Sequence, residues 1–162
     1  MLRDINIIDI EASGLNFDSY PIEIAVLVND KRESWLIKPQ EEWHYWDDSA
    51  EAMHGISREL LQKEGINAAT VVQELNKFLA RSTEPLYSDA AYWDVDWIDT
   101  LYFSVNQKRN FYINSLLDLL DNQQQTRFKQ KRKRLADSGR FQQHRAAQDV
   151  EMIREAFILA KA

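Results

Sequence analysis

Cysteine is absent from the 162-residue sequence, which excludes disulfides and thiolate metal sites. Any bound metal must therefore use oxygen and imidazole ligands, which suit hard cations such as Mg²⁺ and Mn²⁺. A signal peptide and an apolar run of membrane-spanning length are also lacking, so the sequence predicts a cytoplasmic protein without a membrane partner. Glycine and proline are few, at 4 and 3 residues, and there is no linker, internal repeat or low-complexity tract. With 44% hydrophobic residues, the chain is expected to form one compact domain over residues 1–162.

The net charge argues at first against a polyanionic partner. The formal charge is -6 and the pI about 5.1, whereas nucleic-acid-binding domains usually carry a basic excess. The basic residues are unevenly distributed, however, because residues 127–140 contain seven of them and a single acid. We name this segment the basic stripe, after Arg127, Lys129, Lys131, Arg132, Lys133, Arg134 and Arg140. A solvated helix face and an attraction for nucleic-acid phosphates both explain such a stripe.

Hydrophobic periodicity predicts an α/β protein, with strands early in the chain and helices later. A buried strand is predicted from residue 5, and a hairpin joins 22–28 to 33–37 through a two-residue turn. Further strands are predicted at 85–88 and 111–113, and helices at 57–63, 67–80, 93–105 and 147–160. We also expect one helical stretch to start at Leu116 and to continue through the polar segment 122–136. This order predicts a mixed sheet with helices on its faces.

The first strand ends in two acids. Asp9 and Glu11 lie two residues apart, so their side chains point to the same face of the strand. Two like charges so placed repel each other and lose hydration when covered, unless a cation lies between them. The pattern predicts a metal site, and a solvated strand end is the alternative.

Two later segments offer further ligands. Asp94 opens a predicted helix after a strand, and Asp149 opens the last helix, five residues after His144. Taken singly, each acid is explained by the helix dipole and the histidine by solvation in a loop. A hard-cation site nevertheless needs carboxylates from more than one element, and these two acids supply them.

Taken together, these segments resemble the motifs of the DEDDh group of 3′-to-5′ exonucleases, which have a ribonuclease-H-like fold. Residues 9–15 resemble the first motif, 93–98 the second and 144–149 the third. Residues 53–57 resemble another segment common in the group. The resemblance extends over about residues 4–158 and implies a mixed five-stranded sheet with helices on both faces.

The resemblance implies a metal-dependent exonuclease that removes nucleoside 5′-monophosphates from the 3′ end of single-stranded or 3′-overhanging RNA or DNA. It implies two ions, Mg²⁺ or Mn²⁺, held by the carboxylates of Asp9, Glu11, Asp94 and Asp149. Asp9 would be the bridging ligand. His144, on a loop, would take a proton from the attacking water, since a histidine side chain ordinarily titrates at about pH 6.5.

The resemblance also implies substrate contacts at Ala12, Ser13, Gly14, Leu15, His54 and Trp93. Leu15 would wedge against the terminal base and His54 would contact the penultimate nucleotide, with core packing as the alternative for Leu15. Aromatic side chains stack on single-stranded bases. We expect only one or two of the following to do so and the others to cover the core: Trp43, Tyr45, Trp46, Tyr92 and Trp93.

Several alternatives stay open. Ser88 and Asp89 stand where the family usually has histidine and asparagine, so substrate contacts at that edge are expected to differ. A binding module that has lost catalysis should lack one of the five catalytic residues, and all five are present. A nucleotide phosphohydrolase would use the same metal site. The sequence does not distinguish RNA from DNA, and it leaves the oligomeric state open, a homodimer included.

Overall fold

A mixed five-stranded sheet forms the centre of the computed structural model, which describes residues 5–162. Residues 1–4 of the predicted domain, and with them the start of the family resemblance at residue 4, lie outside this range. The strands are β1 (Asn6–Ala12), β2 (Pro21–Val28), β3 (Lys31–Leu36), β4 (Leu86–Ser88) and β5 (Ile113–Ser115). Their order is β3-β2-β1-β4-β5, with β1, β2 and β3 antiparallel and with β4 parallel to β1 and β5. The predicted fold class is confirmed.

Helices cover both faces of the sheet, also as predicted. They are α1 (Asp48–His54), α2 (Arg58–Glu64), α3 (Ala68–Leu79), α4 (Ala91–Ser104), α5 (Asn122–Asp137) and α6 (Ala146–Lys161). Side chains alternate along β1, so Ile8 and Ile10 pack with α3 and α4 while Ile7 packs with α5 and α6. None of the helices within residues 5–162 is long and apolar enough to cross a membrane.

Local sequence explains the hairpin and the short helix α2. Asn29 and Asp30 both adopt left-handed backbone conformations, with φ of 51° and 63°, which a two-residue hairpin turn requires and which these residue types tolerate. The Ser57 hydroxyl accepts a hydrogen bond from the Leu60 N–H at 3.0 Å and so caps α2. Both features confirm the sequence prediction.

The expected continuous helical stretch from Leu116 to 136 is wrong. Residues Leu116–Leu119 form one 3₁₀ turn, and α5 begins separately after Asp121. The Asp121 carboxylate accepts from the Gln124 N–H at 2.8 Å, while the Gln124 side chain accepts from the Asp121 N–H at 3.0 Å. This capping box satisfies the first donors of a new helix and breaks the apolar segment from the basic one. Smaller differences are that α4 begins two residues earlier than predicted and β5 two residues later.

Candidate active site

The tip of β1 carries the two acids that the sequence places on one face. Asp9 and Glu11 lie two and four residues after Ile7 in β1, so their side chains are on the same face as Ile7. Helix α6 covers this face. Asp9 is buried, and Glu11 is partly buried opposite Glu23 of β2. Because β1 is the central strand, with β2 on one side and β4 on the other, its backbone is a fixed support for both carboxyl groups.

Asp94 reaches the site from the first turn of α4. Strand β4 lies parallel to β1, and the short loop after it turns directly into α4. The Ser88 hydroxyl, at the end of β4, donates to Asp94 Oδ2 at 2.6 Å and accepts from the Ala90 N–H at 2.9 Å. Ser88 is fully buried and Asp94 is 1% exposed. The serine thus fixes both the loop and the carboxyl group.

Asp149 and His144 come from the start of α6, which is tied to the sheet by an ion pair whose acid, Glu23, is buried. Glu23, 4% exposed at its side chain, accepts from Arg145 Nη2 at 2.9 Å and from the Ala146 N–H at 2.7 Å. Two longer bonds of 3.3 Å from Arg145 Nε complete the contact. His144 immediately precedes this anchor and has a left-handed backbone, with φ of 60°. We name the pair of Glu23 and Arg145 the α6 anchor.

The anchor and the strand bring three of the predicted residues into contact range. One ligand atom each from Glu11, His144 and Asp149 lie within 4.8 Å of one another. Asp9 and Asp94 belong to the same group, since the charges of Asp94 and Asp149 both raise the pKa of Asp9 beyond the effect of its burial. We name Asp9, Glu11, Asp94 and Asp149 the acidic cluster.

Burial and mutual repulsion dominate the electrostatics of the acidic cluster. Burial raises the pKa of Asp9 well above its usual value, and the charges of Asp94 and Asp149 raise it further. Burial, the charge of Asp149 and a hydrogen bond to Asp149 raise the pKa of Glu11 to about 9. Burial also raises the pKa values of Asp94 and Asp149. The protein alone therefore disfavours four simultaneous negative charges here.

Divalent cations fit this group of side chains. Asp9 Oδ2 and Asp149 Oδ1 are buried and have no hydrogen-bond partner within the described residues. Buried carboxylate oxygens without donors are costly unless a cation coordinates them, and oxygen-rich sets suit Mg²⁺ and Mn²⁺. The acidic cluster is thus a candidate metal site, and His144 lies at its edge.

The first-motif turn has structural constraints of its own. A Cβ added at Gly14 would lie 2.7 Å from Tyr45 Cε1 and 2.9 Å from Asp47 Cβ, so only glycine fits there. Ser13 is fully buried, and its hydroxyl accepts from the Tyr20 N–H at 3.1 Å while its carbonyl accepts from the Asp47 N–H at 2.9 Å. Ser13 therefore supports the turn. Ala12 is buried beside it.

Leu15 differs sharply from its neighbours, because it is 68% exposed. Core packing, the alternative considered for this residue, does not describe it. The adjacent Phe17 is fully exposed, and both side chains project from the loop between β1 and β2. Exposed apolar groups beside a polar cluster are a common property of ligand-binding surfaces.

His54 and Trp93, both predicted to contact substrate, differ in burial. His54 is buried: Nδ1 accepts from the Ile56 N–H at 3.0 Å, and Nε2 faces the Ala12 carbonyl without forming a good hydrogen bond. Burial lowers the pKa of His54, so the ring is neutral at pH 7. Trp93 is partly exposed, stacks on Trp97 at 5.5 Å and lines a groove of about 440 Å³ together with Phe17.

The other aromatic side chains considered for base stacking differ in burial. Trp43 is buried and stacks on Tyr20 at 5.0 Å, and Tyr45 and Trp46 are partly buried against the core. Tyr92 is 79% exposed. Most of this set therefore covers the core.

Sequence reasoning missed the residues that hold the site together. Glu23 and Arg145 are far apart in the chain, and Glu23 is an acid inside an otherwise apolar strand. A lone buried acid in a strand is a signal for a partner, although the sequence alone does not identify the partner. Ser88 gave a clearer signal, since it departs from the family pattern at the second motif.

Comparison with known proteins identifies the family of the chain. The family model RNase_T, which describes exonucleases, matches residues 7–157. The chain belongs to this exonuclease family. It is of the DEDDh type with a ribonuclease-H-like fold, and the family depends on divalent metal ions. No curated protein sequence matches the chain significantly.

Solved structures of Escherichia coli exonuclease I share the fold. A complex with a dA16 oligonucleotide superimposes with a TM-score of 0.73 at 14% identity, covering 97% of this chain and 40% of that one. A zinc-bound complex with single-stranded DNA gives 0.68 at 15% identity, covering 97% and 40%. A product-bound exonuclease I gives 0.70 at 14% identity, covering 98% and 43%. Such identities establish the fold alone, and the chain spans about two fifths of the length of these proteins.

Weakening the α6 anchor should reduce both stability and turnover. Glu23→Gln replaces one acceptor by an amide that faces the Arg145 guanidinium, which should lower the free energy of unfolding by about 1–3 kcal/mol. Looser placement of the α6 start should slow nucleotide release roughly tenfold to a hundredfold. Thermal unfolding and initial rates on a single-stranded oligonucleotide measure the two effects.

The exposed ion pair between Arg140 and Glu155 provides a matched control. Its two bonds of 2.9 and 3.0 Å make it bidentate like the anchor, but the side chain of its acid is 35% exposed, compared with 4% for Glu23. Glu155→Gln should therefore change stability by less than about 0.5 kcal/mol and leave turnover unchanged. Equal effects of the two substitutions would show that burial of the anchor has no functional importance.

Proposed function

We propose that this chain forms a single, metal-dependent 3′-to-5′ exonuclease domain. It would remove nucleoside 5′-monophosphates one at a time from single-stranded or 3′-overhanging RNA or DNA. The observation that carries the proposal is the convergence of four carboxyl groups and one histidine, delivered by β1, α4 and the start of α6. Two buried carboxylate oxygens in that group have no donor of their own within residues 5–162.

The acidic cluster would hold two ions, Mg²⁺ or Mn²⁺. When bound, two such ions supply activation of the attacking water and charge stabilisation at the leaving oxygen. Asp9, central on β1 and electrostatically close to all the others, is our choice for the ligand shared between them. The Ser88 hydroxyl orients Asp94, and the α6 anchor orients Asp149.

His144 would act as the general base. Its ring nitrogens lie beside Glu11 and Asp149, and the residue belongs to the loop that ends at the α6 anchor. A neutral imidazole at this edge accepts a proton from the attacking water and passes it to solvent.

Substrate would approach along the surface next to the first-motif turn. Leu15 and Trp93 are the exposed members of the predicted contact set, whereas His54 and Ser13 are buried and would support the turn. Exonuclease I, which shares the fold, is seen bound to single-stranded oligonucleotides. We infer the same class of substrate here, with the terminal base against Leu15.

Labelled oligonucleotides test direction, substrate and metal dependence in one experiment. Single-stranded and duplex RNA and DNA are labelled at either end and incubated with Mg²⁺, Mn²⁺ or EDTA. We expect 3′-label to appear at once as mononucleotide, a descending ladder from 5′-label, and no change in EDTA. Release of 5′-label as the first product would reverse the direction, and cleavage of free nucleotides alone would favour a phosphohydrolase.

A further inference from the structure

An ion pair that the predicted catalytic set does not include lies beside the acidic cluster. Arg132, from the basic helix α5, donates through Nε to Asp89 Oδ2 at 2.5 Å. Asp89 lies in the loop between β4 and α4, next to Ser88, which in turn holds Asp94. The side chains of Arg132 and Asp89 are 34% and 12% exposed. The pair therefore fixes one guanidinium of the basic stripe near the cluster.

The charges of two candidate metal ligands, Asp9 and Asp149, act on the Arg132 guanidinium. Partial burial lowers the pKa of Arg132, but the charges of Asp89, Asp149 and Asp9 outweigh that effect and raise it. In return, the Arg132 charge lowers the pKa of Asp149. Within the basic stripe, Arg132 is the side chain whose pKa is raised by the charges of Asp9 and Asp149.

The geometry of the pair leaves most of its donors available. Only Nε is used, so the four N–H groups on Nη1 and Nη2 have no acceptor within residues 5–162. Arg140 and Arg145 bind their carboxylates through two nitrogens each, and Arg109, which contacts Asp99 through Nε, donates Nη1 to the Phe111 carbonyl. A pair that served only to neutralise charge would gain from that bidentate arrangement. Asp89 instead contacts the guanidinium at Nε, so within residues 5–162 the N–H groups of Nη1 and Nη2 remain available to donate.

We propose that Arg132, oriented by Asp89, binds one backbone phosphate of the nucleic-acid strand beside the acidic cluster. Planar guanidinium donors match the non-bridging oxygens of a phosphate, and a held side chain loses little entropy on binding. Other exposed basic side chains of α5, such as Arg127 and Lys129, attract the strand without a fixed geometry, whereas Lys133 pairs with Asp137. The inference rests on the proposed exonuclease function.

A methylphosphonate scan of the substrate tests the contact. Each backbone linkage upstream of the scissile bond of a single-stranded oligonucleotide is neutralised in turn, and KM and kcat are measured for wild type and Arg132→Gln. We expect Arg132→Gln to raise KM about tenfold to a hundredfold, with kcat changed less than about threefold. Neutralising one particular linkage should weaken binding to wild type. The same change should have no further effect in Arg132→Gln, because the arginine that contacts this linkage is already missing.

Two other variants complete the design. Arg132→Lys keeps the charge and the ion pair with Asp89, so it should fold like wild type yet lose most of the linkage-specific effect. Lys133→Gln alters the next residue, which is exposed and pairs only with Asp137 on its own helix, and should leave KM within about twofold. Thermal unfolding confirms that each variant is folded.

The outcomes separate this inference from the function on which it rests. If wild type shortens no oligonucleotide with any divalent ion, the proposed function fails. If wild type is active and Arg132→Gln retains the full dependence on that linkage, the Arg132 contact is overturned while the function stands. A KM increase spread evenly over all linkages would also overturn it, in favour of general attraction by the basic stripe.

Discussion

Asp9→Asn is expected to abolish nucleotide release while leaving the metal-free protein at least as stable as wild type. The substitution keeps the shape of the side chain and removes one negative charge from the centre of the acidic cluster. Because Asp9 is buried and one of its oxygens has no donor within the described residues, the wild-type carboxylate is an unfavourable charge without a cation. Its removal should therefore relieve repulsion among the remaining acids.

The stabilisation of the protein by metal ions should be lost in the same variant. Wild type should unfold at a higher temperature in millimolar Mn²⁺ than in EDTA, because a ligand that binds only the folded state stabilises it. Asp9→Asn should lose most of that increase together with activity, which we expect to fall at least about a thousandfold. Differential scanning fluorimetry with and without Mn²⁺, alongside rates on a labelled oligonucleotide, measures both effects.

The control is the same substitution at an acid outside the cluster. Asp118 is exposed in the 3₁₀ turn before α5, so Asp118→Asn should leave the activity and the Mn²⁺ response unchanged. An active Asp9→Asn protein would contradict the metal-site assignment. A variant that is inactive but keeps the full Mn²⁺ response would place the ions on the other acids.

The fold was largely predictable because its main signals are local. The apolar run of β1, the Asn29–Asp30 turn and the cap at Ser57 each determine a structure within a few residues of themselves. The break before α5 was missed because the helical spacing of the leucines after Leu116 was expected to continue into the polar segment, whereas one capping box starts a new helix there. Short strands such as β5 carry too few residues for periodicity to locate their ends.

The acids of the site were found by motif, but their supports were not. Glu11 and Asp149 are far apart in sequence, and only the resemblance to a family connected them. The contacts that position them are tertiary pairs, such as Glu23 with Arg145 and Asp89 with Arg132, which are separated by 122 and 43 residues. No local pattern links the members of such pairs, so the sequence shows a buried acid or a basic helix without showing what it binds.

The same pairs explain how an acidic protein can present a surface for a polyanion. The acidic cluster needs cations, and the protein supplies two nearby, Arg145 and Arg132, each tied to its own carboxylate. The positive charges of these arginines lie near the acidic cluster, but each arginine pairs with a carboxylate that is not one of its four members. Under the proposed function, the balance of charge within the cluster would be left to divalent ions.

His144→Asn is expected to separate proton transfer from metal binding. The residue adopts a left-handed backbone conformation, which asparagine tolerates better than alanine, so this variant removes the imidazole with little added strain. Loss of a general base should slow nucleotide release by about a hundredfold to ten-thousandfold. The stabilisation by Mn²⁺ should persist, in contrast to Asp9→Asn, if the four carboxylates alone hold the ions.

Chemical rescue makes the assignment of His144 sharper. His144→Gly also suits the left-handed conformation and leaves space for an added base. Imidazole in solution should restore part of the lost rate in this variant and have no effect on Asp9→Asn. Because His144 lies within 4.8 Å of the ligand atoms of Glu11 and Asp149, it is also close enough to bind a cation itself. A Mn²⁺ response that disappears in both histidine variants, without rescue, would make His144 a metal ligand instead of a base.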